Sequence, residues 1–193
     1  MKIDPAGKKV YPVVMTAMMM CIIMVSIVLF RIPIPFTQGY VNLSDAMIFI
    51  AVMILGQRYG AVAAGLGSLL GDLMSGFPMW APWTLCIKAM MALVFGLIMD
   101  AGIKKNISHK GFVSIEITGM IVSGLLMTAG YYLAEGVMYG NWIVAALGIP
   151  WNIAQFSVGA ALAIALNRAL ARTSLRNMMT YYDGTYQRRE YHI

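Results

Sequence analysis

Residues 10–30 read VYPVVMTAMMMCIIMVSIVLF, twenty-one consecutive residues without a charged side chain. A helix needs about 20 predominantly apolar residues to cross the hydrocarbon core of a bilayer, so this stretch is long enough for one crossing. Lys8 and Lys9 precede it, as cations precede the apolar segment of a secretory signal. The run is too long for such a segment, however, and no small-residue cleavage site closes it. We therefore predict a first transmembrane helix that stays in the protein.

The composition extends this prediction to the whole chain. Of 193 residues, 60% are apolar and 11% are charged, whereas a soluble domain carries about 25% charged residues. The mean hydropathy is +0.74. We predict an all-α integral membrane protein, with one six-helix membrane domain over residues 1–172 and a polar cytoplasmic tail over 173–193. The six transmembrane helices are expected at residues 10–30, 44–55, 60–75, 84–101, 112–133 and 149–169.

Two segments that each contain two prolines interrupt the apolar blocks. Residues 31–42 read RIPIPFTQGYVN and residues 76–83 read GFPMWAPW; proline inside a helix removes a hydrogen bond and clashes with the preceding turn. Both are predicted as loops, with Ser44 capping the helix after the first loop. The helices at 44–55 and 60–75 are shorter than a full crossing. Because non-helical backbone at membrane depth must be buried in protein or line a wet cavity, we expect the two loops to roof a pocket.

The cations give the orientation. Six crossings place twelve of the fourteen Lys and Arg residues on one side, whereas five or seven would divide them. Cytoplasmic loops carry an excess of Lys and Arg, so both termini are predicted to be cytoplasmic. The net charge of +6 thus reports topology, and no nucleic-acid partner is predicted. The twelve are Lys2, Lys8, Lys9, Arg58, Lys104, Lys105, Lys110, Arg168, Arg172, Arg176, Arg188 and Arg189.

The opposite, outer side is rich in aromatic residues. All four tryptophans, Trp80, Trp83, Trp142 and Trp151, fall in the outer loops or at the outer helix ends. One interpretation is a belt of interfacial aromatic residues, which requires no ligand. A belt should occupy both interfaces, and tryptophan is found at only one. The asymmetry therefore favours a role for some of these rings in a binding site.

Ionisable residues within apolar blocks are costly and are functional candidates by default. Asp45, Asp72 and Lys88 are such residues, all toward the outer side. Lys88 could pair with Asp45 or Asp72 and only tether helices, or these groups could face a ligand together with amides and aromatic rings. Flat rings among amide and carboxylate groups would suit a small heteroaromatic ligand. The predicted ligand-binding set is Gln38, Tyr40, Asn42, Asp45, Asp72, Trp80, Trp83, Lys88, Asn152 and Gln155, with Glu135 and Asn141 as further polar candidates nearby.

Small residues mark close helix contacts. Gly67 and Gly71 form a GxxxG, which lets helix backbones approach closely in lipid, and internal packing is its expected use. Helix 1 carries a comparable small pair, Ala17 and Cys21, four residues apart.

Several chemistries lack their motifs in this sequence. It contains no GxxxxGK[ST] phosphate loop, no HExxH, no clustered His/Cys metal site and no GxSxG. It also contains no internal repeat of the kind found in many secondary transporters. We therefore predict neither a catalytic residue nor a metal or cofactor. A membrane-embedded enzyme and a self-sufficient secondary transporter or channel remain as alternatives that these absences disfavour.

Residues 32–100 resemble a known family. The stretches IPIPFTQGYVNLSDAMIFIAVMILG, GAVAAGLGSLLGDLMSG and PMWAPWTLCIKAMMALVFGLIMD are similar to the substrate-binding S components of energy-coupling factor (ECF) transporters. The similarity points to the riboflavin-type group, and within it to the S components assigned to hydroxymethylpyrimidine, a thiamine precursor, or to pyridoxine. Riboflavin and thiamine remain alternative ligands.

The resemblance implies a six-helix bundle in a prokaryotic plasma membrane, with a vitamin site near the outer surface under the loops after helices 1 and 3. It also implies partners: a transmembrane coupling subunit and two cytoplasmic ATPase subunits, which would supply ATP hydrolysis. In the family, an AxxxA pattern on helix 1 meets the coupling subunit. The match here is Ala17 and Cys21, with cysteine in place of the second alanine.

Overall fold

A computed structural model describes residues 5–34, 39–104, 109–182 and 185–186 of the chain. Five helical stretches in this part are long and apolar enough to cross a membrane. The helices are α1 (Pro5–Leu29), α2 (Ser44–Met74), α3 (Ala81–Ile103), α4 (His109–Tyr139), the short α5 (Trp142–Ala146) and α6 (Gly148–Ala171). Strands β1 (Arg31–Pro33) and β2 (Tyr40–Asn42) form an antiparallel hairpin after α1. The chain beyond α6 contains a 3₁₀ turn (Ser174–Met178) and the short pair β3 (Tyr181–Tyr182) and β4 (Thr185–Tyr186).

The ends of α2 and α3 show where sequence signals were misread. Ser44 was predicted to cap α2, and this is wrong: Ser44 is the first helical residue, and its N–H donates to Asn42 Oδ1 at 2.9 Å. An Asn side chain two residues earlier offers the same acceptor that a cap provides. At α3, Pro82 lies in the first turn, where the missing N–H costs nothing. The helix therefore begins before the predicted residue 84.

The break in α2 is confined to one residue. The sequence predicts a turn over residues 56–59 between two helices, whereas in the structure only Gly56 has a non-helical backbone conformation, with φ 79° and ψ 179°. Glycine adopts positive φ at little cost. The direction of the chain changes sharply there: a Cβ on Gly60 would lie 2.9 Å from the Cα of Val52, although eight residues of straight helix span about 12 Å. Residues 44–55 and 57–74 are therefore two arms that fold back on each other.

Contacts with α1 show the direction of the second arm. A Cβ on Gly67 would meet the carbonyl oxygen of Met20 at 2.9 Å, and one on Gly71 would meet Ile27 at 2.8 Å. Residue numbers increase together on the two helices, so α1 and the second arm of α2 run in the same direction. The GxxxG glycines thus lie in an internal helix–helix contact, which is their common use in membranes.

The chain after α6 returns to the break in α2. The Thr180 N–H donates to the carbonyl of Met53 at 2.9 Å, and its hydroxyl donates to the carbonyl of Ile54 at 2.7 Å. Carbonyl groups at a helix break lose their helical partners and need others. Tyr181 is buried, and its hydroxyl donates to Asp100 at 2.6 Å. The division of the chain after residue 172 stays a prediction; this part of the predicted tail is joined to the bundle.

The outer surface of the bundle is apolar. Val13, Met18, Ile22 and Leu29 on α1 are all exposed, and similar side chains cover the other long helices. Buried methionine and aromatic residues such as Phe49 fill the interior. An outer surface of this kind is what a lipid environment requires of a helical bundle.

Candidate ligand-binding site

A small cavity lies at the end of the bundle where α2 both begins and ends. Its volume is about 20 Å³, room for about one water molecule. Five regions of the chain contribute to it: the hairpin, the end of α2, residues 80–84 at the start of α3, α4 and α6. The lining residues are Ile34, Gly39, Tyr40, Asn42, Asp72, Trp80, Thr84, Tyr131, Glu135, Asn152 and Gln155.

The side chains of Tyr40 and Arg31 help to hold the hairpin over the cavity. The Tyr40 hydroxyl donates to Asp72 Oδ1, and the Tyr40 ring lies 4.8 Å from that of Phe77. Burial, and then the neighbouring Asp72 carboxylate, raise the pKa of Tyr40 well above its usual value, so the phenol stays protonated and able to donate. Arg31 Nη1 donates to the carbonyl of Ser75 at 2.8 Å, with the guanidinium 5.6 Å from the Phe77 centroid. The loop after α1 is therefore held against the loop after α2.

A buried ion pair lies beneath the cavity. Lys88 Nζ bonds Asp45 Oδ1, and both side chains are almost completely buried. Gln155 Nε2 donates to Asp45 Oδ2 at 2.9 Å, and Gln155 Oε1 accepts from the Asn42 N–H at 2.9 Å. The lysine charge is thus neutralised by Asp45, and Gln155 connects this pair to the hairpin.

Aromatic rings form one wall. Trp80 is 6% exposed, and its ring centroid lies 6.2 Å from Tyr131 and 6.3 Å from Tyr139. Trp83, three residues later, is 36% exposed and is not among the lining residues. Trp142 and Trp151 are also exposed, as interfacial residues are. Of the four tryptophans, only Trp80 lines the cavity.

Two buried carboxyl groups in the lining keep an oxygen without a partner. Glu135 and Asp72 are each 2% exposed. Glu135 Oε2 and Asp72 Oδ2 have no hydrogen-bond partner among the described residues. A buried acceptor without a partner is costly, and here both oxygens belong to residues that line the same cavity.

The structure brings together six of the ten predicted ligand-binding residues in the cavity lining: Tyr40, Asn42, Asp72, Trp80, Asn152 and Gln155. Asp45 and Lys88 lie beneath it as a pair, and Trp83 lies outside it. Gln38 is outside the described residues. Ala17 and Cys21 are exposed on α1, away from the cavity.

The predicted set did not include the lining residues Ile34, Gly39, Thr84 and Tyr131, and it left Glu135 only as a nearby candidate. Helical spacing could have indicated two of them, because Thr84 lies four residues before Lys88 and Tyr131 lies four residues before Glu135. Residues four apart share a helix face.

The fold and the cavity together describe a class of protein: a membrane-embedded helical bundle with a small cavity beneath loops at one end. The family described as ECF-type riboflavin transporter, S component, matches residues 7–172. The chain therefore belongs to the S components of ECF transporters. S components bind small vitamin-like ligands and work with partner subunits, and the family is one of substrate-binding transporter components rather than enzymes.

Individual relatives agree with this assignment. The chain is 31% identical over 150 residues to the thiamine precursor transporter HmpT of Lactococcus lactis subsp. cremoris (strain MG1363), covering 77% of this chain and 81% of that protein. It is 35% identical over 116 residues to an uncharacterized protein of Pyrococcus woesei, covering 60% of this chain and 72% of the relative. A solved structure titled "Structure and mechanism of the S component of a bacterial ECF transporter" superposes with a TM-score of 0.65 and 25% identity, covering 84% of this chain and 96% of that one.

Proposed function

We propose that this chain is the substrate-specific subunit of an ATP-driven ECF importer, and that its ligand is hydroxymethylpyrimidine or, second, pyridoxine. The observation that carries the proposal is the cavity, in which one buried tryptophan, two carboxyl groups and three amides converge. Such a set fits a small ring with amine and hydroxyl substituents. The relationship to a protein named as a thiamine precursor transporter favours the pyrimidine.

The volume of the site supports a small ligand over riboflavin. At about 20 Å³, the cavity admits a single ring only if the hairpin and the Trp80 region move outward, and a three-ring flavin would require far more displacement. In the described part of the chain, the contacts that hold the hairpin include the Tyr40–Asp72 bond, the Arg31 bond to the Ser75 carbonyl, the bond from the Asn42 N–H to Gln155, and ring contacts on Phe77. Noncovalent contacts of this kind can break when a loop opens to admit a ligand and form again when it closes over the ligand.

We also propose six membrane crossings with both termini in the cytoplasm of a prokaryotic cell. The fold-back of α2 at Gly56 and the shared direction of α1 and residues 57–74 support this count, because they require residues 44–55 to return toward the opposite side. The arrangement puts the cavity on the outer side and the cation-rich loops inside, as the positive-inside rule requires.

Titration of the purified chain against a vitamin panel tests the proposed ligand. We expect hydroxymethylpyrimidine to change the tryptophan fluorescence saturably, because Trp80 lies in the cavity wall, and to bind more tightly than riboflavin or thiamine. Tighter binding of riboflavin would refute the ligand assignment. Uptake into liposomes by this chain alone, driven by an ion gradient, would instead support a self-sufficient secondary transporter.

The exposed face of α1 is the proposed contact with the coupling subunit. Ala17 is exposed, and Cys21 borders an apolar groove of about 390 Å³ formed with the start of α2 and Leu162. We expect Ala17→Leu to reduce co-purification of the coupling and ATPase subunits while ligand affinity stays unchanged, because the added side chain prevents close helix approach. Ala161→Leu, at an exposed alanine on α6, is the matched control. Equal assembly of both variants would show that this face of α1 is not the contact.

A further inference from the structure

We propose that Glu135, assisted by Asp72, selects the ligand by accepting hydrogen bonds from its amine or hydroxyl groups, and that these two carboxyl groups exclude phosphorylated forms of the same ring. This inference rests on the proposed function and specifies the chemistry of its site. It assigns a role to the two buried oxygens that the fold itself leaves without partners.

The Glu135 carboxyl group is closely packed against a neighbouring helix. Its carboxyl group lies against Gly148 at the start of α6, where a Cβ would be 2.7 Å from Oε2 and 3.1 Å from Oε1. Only a residue without a side chain leaves this space. Glu135 is 2% exposed, lines the cavity, and keeps Oε2 without a hydrogen-bond partner in the described part of the chain. Because such an orphaned acceptor costs free energy, a donor supplied by a ligand would remove that cost.

Asp72 presents a second acceptor from a different helix. Its Oδ1 accepts from Tyr40, which leaves Oδ2 as the oxygen without a partner among the described residues. Two acceptors, one on α2 and one on α4, can accept hydrogen bonds from two donor groups on one small ring. A ring that lacks a donor leaves a buried acceptor unpaired, and sites of this kind reject such analogues strongly.

The charges around the cavity argue against a phosphate. None of the lining residues is a lysine or an arginine. Lys88 is already bonded to Asp45 below the cavity, and Arg31 is exposed and bonded to the Ser75 carbonyl. A phosphate ester would therefore lose its water beside two carboxyl groups with no cation to compensate.

The test uses the purified chain and four probes: hydroxymethylpyrimidine, its phosphate ester, the pyrimidine with hydrogen in place of the amine, and the pyrimidine with methyl in place of the hydroxymethyl group. We expect wild type to bind the parent ring at least about 100-fold more tightly than the phosphate ester. We expect Glu135→Gln to weaken binding of the parent ring about tenfold or more. One of the two analogues lacks the donor that binds Glu135. For that analogue, we expect Glu135→Gln to weaken binding by about threefold or less relative to wild type.

Glu116→Gln is the matched control, because Glu116 is also a buried carboxylate on α4 but accepts from Asn167 Nδ2 at 3.0 Å and does not line the cavity. We expect it to bind all four probes as wild type does. Asp72→Asn is the second variant and lies on another helix. We expect it to reduce the ratio of the affinities for the parent ring and the phosphate ester. This ratio tests the inference even if Glu135→Gln does not fold.

Three results would overturn the inference. An equal loss in Glu135→Gln for the parent ring and both analogues would leave Glu135 a structural residue. If wild type binds the phosphate ester with a Kd within about threefold of that for the parent ring, the carboxyl groups do not exclude phosphorylated ligands. Failure of wild type to bind any probe would remove the proposed pyrimidine ligand as well, whereas either of the first two results would leave that ligand assignment intact.

Discussion

Replacing Lys88 by methionine should lower the free energy of unfolding by about 3–5 kcal/mol, the usual cost of removing one partner of a buried ion pair. Both side chains of the Lys88–Asp45 pair are almost completely buried. Methionine preserves most of the length and volume of lysine. The loss of unfolding free energy would therefore come from the missing charge and not from a cavity. Among the described residues, Asp45 would keep its bond from Gln155 Nε2, and a buried carboxylate without a cation is strongly unfavourable. The measurement is the thermal or denaturant unfolding of the chain in detergent.

The double variant Asp45→Asn with Lys88→Met is the control. Asparagine keeps an acceptor for Gln155 and removes the negative charge that Lys88 neutralises. Replacing both members of a buried pair by neutral groups is often close to neutral in stability, so we expect the double variant to recover most of the loss. Unfolding of Lys88→Met at the wild-type midpoint would show that the pair does not stabilise the bundle. A double variant as unstable as Lys88→Met would mean that the lysine acts through other neighbours, such as Met127 or Tyr131.

Replacing Trp80 by alanine should weaken binding of hydroxymethylpyrimidine by about 5- to 150-fold. Stacking of a base on an aromatic side chain contributes about 1–3 kcal/mol, and each 1.4 kcal/mol is tenfold in Kd. Trp80 supplies this surface because it is buried in the cavity wall with Tyr131 and Tyr139 beside it. Isothermal titration of the purified variant gives the affinity without depending on tryptophan fluorescence.

Trp83→Ala provides a matched comparison on the same segment. Trp83 is 36% exposed and lies outside the cavity lining, so its removal should change Kd by less than about threefold. Equal losses in the two variants would indicate a general disturbance of the start of α3. A larger loss for Trp83 than for Trp80 would contradict the cavity as the ligand site.

The comparison of Trp80 with Trp83 also shows how far sequence reasoning reached. Both tryptophans were predicted to bind ligand because both lie in the same outer loop region. At the start of α3, the Trp80 ring lies toward the cavity and the Trp83 ring lies outside it. Composition carries no information about this difference. The pairing of Lys88 was similarly left open between Asp45 and Asp72, since both carboxylates lie toward the same side. Only the packing of α2 against α3 joins Lys88 to Asp45.

The break in α2 is an intermediate case. The glycine at position 56 and the short apolar block before it indicated that the chain turns there, and the Gly56 φ of 79° agrees. The sequence did not indicate that one residue suffices, or that Thr180, far along the chain, supplies donors to the carbonyls of Met53 and Ile54 beside the break. Those contacts join segments more than a hundred residues apart, and no local pattern encodes them.

The sequence alone determined that this is a helical membrane protein, where most of its long helices lie, and which family residues 32–100 resemble. The membrane class and the helix positions follow from properties of one segment at a time. An apolar segment either is or is not long enough to cross the bilayer, and proline and glycine interrupt helices. The tertiary structure alone decided which side chains meet in the cavity, that Glu135 and Asp72 keep free oxygens there, and that Lys88 does not face it. The physical reason is that a binding site depends on the rotation and approach of several helices, and those are fixed by packing between segments distant in the chain.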